Sequence, residues 1–494
     1  MTEPGSAWRA ARAVMAEQCT GRGPNGVVAA AAPVAAALGA EALRQGGNAY
    51  DAAVTAALAE TVLLPPKCGL GGDMVALVVP AGATEPEALV AVGGAPAGLA
   101  ELAAAGHMAI DGPTSVGVPA AAAGYAALAA RGRFDRARHA APAIALARDG
   151  FAWARICTVL AGESAELLRR ENPGGTRYLP SGAPIEPGAV TRLPGLGEVL
   201  QEWAARGDGM LQGPVGEAIV AAVQGRGGVL AAADLAYGTA EWSACMAVEV
   251  GGHRLSATPA PTHGPSLLHA LEWLGTPASA RPAEVYRAVS EAVRRRTASE
   301  GTELVDGGTS MVSCADRDGT IVVVVHSNSF PRFGSGIVVD GLDLILANRA
   351  GRGFSSVPGS RNFPVAGRRP ATTLHAWALV QSGVPGCLAG ATPGGVNQVP
   401  WNAQLVVDLL RCHGDAGAAV VAPRWGLLPG DGVVGAEHGF EPEDLEELVG
   451  AAGRVEPAGP WGLRCAQQVV VRGGPDQALL AAVDPRTVGA VVAA

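Results

Sequence analysis

Asp306-Gly307-Gly308-Thr309-Ser310-Met311-Val312-Ser313-Cys314-Ala315-Asp316-Arg317-Asp318-Gly319 is the stretch on which the reading of this chain turns. A glycine-containing loop, Asp306-Gly307-Gly308, runs into a β-like segment from Thr309 to Ala315. Asp316-Arg317-Asp318-Gly319 then reads as a hairpin turn, and Thr320 to Val325 as the returning strand. A threonine hydroxyl is a weak nucleophile unless a base stands beside it. If the chain is cut before Thr309, the freed α-amine can be that base, and the flexible Gly307-Gly308 pair tolerates an N→O acyl shift. Alone, a Gly-Thr-Ser triplet is more often a turn. The rest of the chain has to carry the argument.

With 494 residues the chain is long enough for one large or two medium domains and a sizeable core. Almost half of the residues are apolar, yet no run approaches the eighteen needed to span a bilayer. The longest Ala/Val-rich run, Val27 to Leu38, is interrupted by Pro33, and the opening Met1-Thr2-Glu3-Pro4 lacks the basic start of an export signal. The expectation is a soluble, cytoplasmic protein with no membrane association. The net charge of −9 is modest for this size, and no long basic face stands out. Arg294, Arg295 and Arg296, the one tight basic run, fall in a helical pattern (Val285 to Thr297) and read as a solvated face rather than a nucleic-acid contact. Eight cysteines are scattered without CxxC or Cys/His ligand spacing. They read as core thiols, and no cofactor or metal is implied.

The first twenty-five residues read as a flexible arm. Val27 to Ala59 has a helical pattern, broken at Gly46-Gly47-Asn48, where Asn48 can cap the second helix. A loop ending in Gly69-Leu70-Gly71-Gly72 precedes a strand from Val75 to Val79. Residues 117–151 are largely helical, 171–190 are loop-like, and helices resume near Gly195 and at Ser266 to Leu274. After Glu300 strands dominate, at Ile337 to Val339, Leu342 to Leu346, Ala376 to Val380 and Val469 to Val471, with a helix from Trp401 to Arg411. Helices first and strands later suggest a layered α/β arrangement with mixed or antiparallel sheets. Thr392-Pro393-Gly394-Gly395 is a second chemical signal, because consecutive glycines can aim backbone N–H groups at one spot as an oxyanion hole.

These pieces, in this order, resemble the γ-glutamyltranspeptidase family. The resemblance rests on Leu43-Arg44-Gln45-Gly46-Gly47-Asn48-Ala49-Tyr50-Asp51-Ala52-Ala53, Gly69-Leu70-Gly71-Gly72, Gly117-Val118-Pro119, Ala141-Pro142-Ala143-Ile144 with Gly150-Phe151, Pro259-Ala260-Pro261-Thr262-His263-Gly264, the Thr309 block and Phe333-Gly334-Ser335-Gly336. It implies a four-layer αββα N-terminal-nucleophile hydrolase fold and self-cleavage between Gly308 and Thr309. A large subunit (26–308) and a small subunit (309–494) would then form one unit, a heterodimer from one precursor. By position Thr309 would be the nucleophile and Gly394 and Gly395 the oxyanion donors. Asn328 would hold the nucleophile's amine or the substrate, and Thr372 and Thr373 would line the substrate pocket.

The departures from the family pattern bear on the substrate. The family holds a glutamyl α-carboxylate with an Arg just before an Ala-Pro, where this chain has Gly94 before Ala95-Pro96. It holds the α-ammonium with an acid just before a Phe, where this chain has Asn348-Arg349-Ala350-Gly351-Arg352-Gly353-Phe354. Losing both ends of that clamp costs about 2 kcal/mol or more at each end. Arg349 and Arg352 instead suit a small carboxylate-bearing substrate. Family relatives in actinobacterial pathways to 4-alkylproline antibiotics hydrolyse a C–C bond and release an oxalyl-type group, and the resemblance extends to this branch. Two other readings stay open: a γ-glutamyl hydrolase, transpeptidase or amide acylase with a rebuilt pocket, and an unprocessed, non-catalytic family member.

Overall fold

The β-branched runs flanking the Asp316–Gly319 turn pair as an antiparallel hairpin, Gly308–Asp316 with Ile321–Ser329, buried along its whole length. The computed structural model describes residues 4–300, 307–381, 386–428, 432–474 and 477–494. Asp306 of the loop before Thr309 lies outside the described residues.

The hairpin is the middle of a seven-stranded antiparallel sheet. Its order is Ala490–Ala493, Gly26–Ala30, Gly308–Asp316, Ile321–Ser329, Asp73–Val79, Glu87–Ala91 and Glu241–Ala244. A second seven-stranded antiparallel sheet runs Thr20–Gly23, Leu479–Val483, Gln468–Arg472, Cys387–Ala391, Ala376–Gln381, His253–Ala257 and Met246–Val250. Because side chains alternate along a strand, each sheet presents one row inward and one outward. Met311, Ala315, Val323 and Val325 meet Ala376, Ala378, Ala389 and Val470 of the second sheet. Val312, Cys314, Val322 and Val324 meet the helices Pro33–Arg44 and Ala49–Leu63. The outer face of the second sheet is covered by Gly264–Leu274, Pro282–Glu300 and Gln398–Arg411. The result is four layers, αββα. Each sheet contains strands from both sides of the Gly308–Thr309 bond, so a cut at that bond separates no layer.

Helix Ala49–Leu63 is buried on every side, and Asn48 starts it with a capping box shared with Asp51. Three expectations need correction. Gly26–Ala30 is a strand, because Val27 and Val28 sit between two partner strands and burial on both faces overrides the helical preference of the alanines. The helix begins only at Pro33, whose missing N–H costs nothing at a first turn. Residues 4–25 are not a loose arm: Pro4–Gln18 is a helix, Trp8 packs on Trp461 and His438 at 4.9 and 5.3 Å, and Thr20–Gly23 pairs with Leu479–Val483. The arginine run is divided. Arg294 and Arg295 pair with Glu291 on the exposed face, while Arg296 is half-buried and donates to the Pro261 and Thr262 carbonyls.

Candidate active site

Thr309 stands opposite Ser327, and Gly308 opposite Ser329, so Asn328 is bulged out of the ladder between them. Three hydrogen bonds follow from that bulge. The Thr309 hydroxyl donates to Ser327 Oγ at 3.2 Å. The Ser327 hydroxyl donates to the carbonyl oxygen of Gly308. The Ser329 N–H donates to Ser327 Oγ at 2.8 Å, which fixes the serine's orientation. The bond between Gly308 and Thr309 is thus flanked by a potential nucleophile on one side and a donor polarising its carbonyl on the other. Ser327 was not anticipated from the sequence.

The two glycines before Thr309 are there for space. A Cβ on Gly308 would lie 2.6 Å from the Ser329 carbonyl oxygen, and one on Gly307 would lie 2.6 Å from the Gly395 nitrogen. Gly394 and Gly395 have φ of +135° and +55°, values that exclude most side chains. Their turn therefore backs onto Gly307, one residue from the bond in question. Arg332 donates to the Gly307 carbonyl oxygen.

Asn328 does not contact the Thr309 hydroxyl. The bulge turns it toward the glycine loop, where its N–H donates to the Lys67 carbonyl (2.8 Å) and its Nδ2 to the Pro65 carbonyl (3.1 Å). Its Oδ1 is buried without a hydrogen-bond partner among the described residues. Gly69 and Gly72 make room for it, since a Cβ on Gly72 would come within 2.7 Å of that oxygen. Lys67 is the only lysine of the chain. Burial, and then Arg332, pull its ammonium below the ordinary lysine pKa.

Of the pocket residues expected from the sequence, Thr372 is buried and its hydroxyl accepts from the Leu374 N–H of its own loop. Thr373 is half-exposed and is tied through Gln398 Nε2 (3.4 Å) to the helix that follows Gly394-Gly395. Arg349 is not an available cation: its Nε donates to Asp73 Oδ2 at 2.6 Å, and both side chains are buried. Burial raises the Asp73 pKa and the arginine opposes that rise. Arg352 has no carboxylate within salt-bridge distance among the described residues; its Nε donates to the Phe330 carbonyl at 2.9 Å. Burial pulls its pKa below the usual arginine value.

The missing clamp has a steric cause. A Cβ on Gly94 would sit 2.6 Å from the Gly367 carbonyl oxygen, and one on Gly353 would sit 2.5 Å from Pro370 Cβ. The segment from Gly367 to Ala371, zipped onto Ala95 by the Arg368 carbonyl and the Gly367 N–H, fills both places. Neither an arginine nor an acid fits there.

Behind the hairpin lies a second polar cluster that the sequence reading did not find. Glu60 is fully buried in helix Ala49–Leu63. Its Oε2 accepts from Ser310 Oγ (2.6 Å) and meets His326 Nε2 (2.9 Å); its Oε1 accepts from the N–H groups of Ala31 and Ala32. His326 Nδ1 in turn meets the Tyr125 hydroxyl at 2.7 Å.

This geometry can be set beside known proteins. The sequence profile of the family described as gamma-glutamyltranspeptidase matches residues 35–306 and 277–494. The chain belongs to the γ-glutamyltranspeptidase family. The glutathione hydrolase proenzyme of Escherichia coli is 26% identical over 94% of this chain and 91% of its own length. The cephalosporin acylase of Bacillus halodurans superposes with a TM-score of 0.81 at 26% identity, over 96% of this chain and 97% of that one. The solved structure of LmbA2991HD superposes with a TM-score of 0.80 at 26% identity, over 96% of this chain and 99% of that one. The αββα layers are those of an N-terminal-nucleophile hydrolase, and the protein is an enzyme of that class. Members of the family are processed into large and small subunits and act on small molecules. Among the described residues, no helix is long and apolar enough to cross a membrane.

Proposed function

We propose that the chain cuts itself between Gly308 and Thr309 and that the freed Thr309 then hydrolyses a small, carboxylate-bearing acyl compound. The observation that carries this reading is the hydroxyl pair around the Gly308 carbonyl. In maturation, Thr309 Oγ attacks the Gly308 carbonyl carbon and passes its proton to Ser327, while Ser327 gives its own proton to the carbonyl oxygen. The adduct then collapses with cleavage of the Gly308–Thr309 C–N bond, the proton passes to the freed α-amine, and water splits the resulting ester. In turnover the new α-amine of Thr309 takes the hydroxyl proton. The N–H groups of Gly394 and Gly395 hold the oxyanion, and the unpartnered Asn328 Oδ1 accepts from the amine. Thr373 and Arg352 line the acyl pocket. Thr372 supports that wall from behind, and Arg349, neutralised by Asp73, drops out of substrate binding.

The pieces would have 308 and 494 − 308 = 186 residues. A denaturing gel with intact masses tests the maturation step; a single full-length band sinks it and leaves the non-catalytic reading. The filled clamp positions at Gly94 and Gly353 argue against a γ-glutamyl substrate. Robust turnover of a chromogenic γ-glutamyl anilide would overturn that argument. A second reading keeps the same nucleophile but breaks a C–C bond, releasing an oxalyl-type group in 4-alkylproline-type antibiotic biosynthesis. Thr309 would attack an activated ketone and a resonance-stabilised carbanion would leave. What favours it is again the loss of the zwitterion clamp. Oxalate release from an oxalyl vinylogous acid, followed by mass spectrometry, tests it.

A further inference from the structure

The row of side chains that starts at Thr309 does not end at Ser327. Thr309 stands opposite Ser327 on the next strand, and Ser327 stands opposite Asp73 on the strand after that, Asp73–Val79. Residues directly opposite one another in an antiparallel sheet point to the same face, with Cβ atoms about 4.5–5.5 Å apart. Asp73 is therefore the neighbour of Ser327 on the side away from Thr309. It is buried, and each of its oxygens holds one donor: Oδ1 the Gly93 N–H at 3.2 Å, Oδ2 the Arg349 Nε at 2.6 Å. A carboxylate oxygen can accept two, so each keeps a lone pair. A buried ion pair adds little net stability by itself. What this one adds is a fixed, charged acceptor one strand away from the partner of Thr309.

The Ser327 hydroxyl has one proton and two lone pairs. In the uncut chain all three are used. The lone pairs accept from the Thr309 hydroxyl and the Ser329 N–H, and the proton goes to the Gly308 carbonyl oxygen. In turnover a substrate must bring its own carbonyl carbon to Thr309 Oγ, so the Gly308 carbonyl is gone and the Ser327 proton has lost its acceptor. A buried hydroxyl left without one is costly. Two acceptors then flank it in the row: the Thr309 oxygen at 3.2 Å and the Asp73 carboxylate across the strand. Donation to Thr309 would spend a lone pair that the nucleophile needs for attack. Donation to Asp73 spends nothing, and a charged acceptor makes the stronger hydrogen bond.

We propose that Asp73, oriented by Arg349, is a positioning residue of the matured enzyme: it accepts the Ser327 hydroxyl once the Gly308 carbonyl has gone, and so leaves the Thr309 oxygen free to attack. This rests on the reading of Thr309 as the nucleophile of a self-cleaved chain. No proton crosses from Ser327 to Asp73, and the Thr309 proton still passes to its own α-amine. Self-cleavage does not use the contact, because Ser327 is then engaged with Gly308. Asp73 therefore serves turnover and is idle in maturation.

Crystal structures of the matured protein and of the uncut Thr309→Ala protein test this without a substrate. In the matured protein Ser327 Oγ should lie within about 3 Å of an Asp73 oxygen, and in the uncut one it should remain on the Gly308 carbonyl. A Ser327 hydroxyl that turns to Thr309, or to any acceptor other than Asp73, in the matured structure overturns the proposal. Kinetics give the second arm. Asp73→Ala alone would strand Arg349, so the pair is removed as a unit, Asp73→Ala with Arg349→Met, and a melting curve confirms the fold. Self-cleavage on a denaturing gel should stay within about threefold of wild type, while Thr309-dependent release of 4-nitrophenolate from 4-nitrophenyl acetate by the matured protein should fall at least about tenfold. Equal losses in the two rates, or no loss in either, mark a merely structural pair and overturn the proposal while leaving the nucleophile intact. A wild-type chain that stays uncut, or nitrophenolate release no faster than that of Thr309→Ala, overturns the reading of Thr309 beneath it.

Discussion

The two faces of the Gly308–Asp316 and Ile321–Ser329 hairpin do different work within one register step. On the face toward the second sheet, Thr309 is paired with Ser327, and the surroundings are glycines and backbone oxygens. On the face toward the helices, the next pair, Ser310 and His326, is fastened to one buried carboxylate, Glu60, which also holds the N–H groups of Ala31 and Ala32. The Thr309–Ser327 pair is lightly held, and the pair beside it is tied to a second strand and to a helix. Reactive groups need unspent hydrogen-bonding capacity, and a lightly held group stays in place only if its neighbour is fixed. Removing a group from the first face should therefore cost chemistry, and removing one from the second should cost stability.

Thr309→Ala should produce the largest effect: no maturation, and kcat/KM reduced by at least about 10^4-fold, with thermal stability unchanged. A gel and a melting curve on the same preparation check both halves. Glu60→Ala should do the reverse. It strands Ser310, His326 and two backbone N–H groups in a dry interior, at about 3–5 kcal/mol, measured as a loss in urea unfolding free energy. Glu60→Gln keeps the shape and should lose less. If Glu60→Ala leaves stability intact and only slows cleavage, the division between the faces is wrong. Ser327→Ala should slow self-cleavage about 10^2-fold while the chain stays folded, as expected for loss of one donor to the reacting carbonyl. A time course of band appearance after rapid expression measures it.

The hairpin itself was legible in the sequence because its turn chemistry and its β-branched alternation agree. Ser327 was within reach of the same reasoning. Ala315 faces Ile321 across the turn, and six steps outward from each arrive at Thr309 and Ser327. Glu60 carried a signal too, as a lone carboxylate in an otherwise apolar helix face. Arg349 carried none: its partner Asp73 is 276 residues away and meets it only through the fold. The loss of the clamp was visible at Gly94 and Gly353, but its cause was not, because the Gly367 to Ala371 segment that fills both places has no pattern of its own. The helix Pro4–Gln18 was missed because little in its composition marks it. It is held by docking, through Trp8, on residues more than 400 positions further along.

The smallest expected effect extends the comparison to the second sheet, beneath Thr373. His375 is buried at the start of strand Ala376–Gln381, with Nδ1 against the Thr373 carbonyl (2.9 Å) and Nε2 against Asn402 Nδ2 (2.8 Å). A carbonyl needs a donor and an amide NH2 needs an acceptor, so the ring is neutral with its proton on Nδ1. Burial pushes the pKa down to about 4, opposed by the Thr373 carbonyl and aided by Arg296. The unfolded chain takes up this proton near pH 6.5, whereas the folded chain resists it to about 4. The stabilisation is therefore complete above about pH 6.5 and is lost as the pH falls toward 4, by on the order of 3 kcal/mol in all. Nearby His263, also buried and held well below its usual pKa, adds in the same direction. Urea unfolding at pH 7 and pH 5 should show the loss in the wild type and a smaller one in His375→Gln. The rate of self-cleavage under folded conditions should change equally in both proteins, because this network lies beneath Thr373 and does not touch Thr309. A cleavage rate that follows the His375 titration would make the second sheet part of the chemistry, and the two-face description would have to include it.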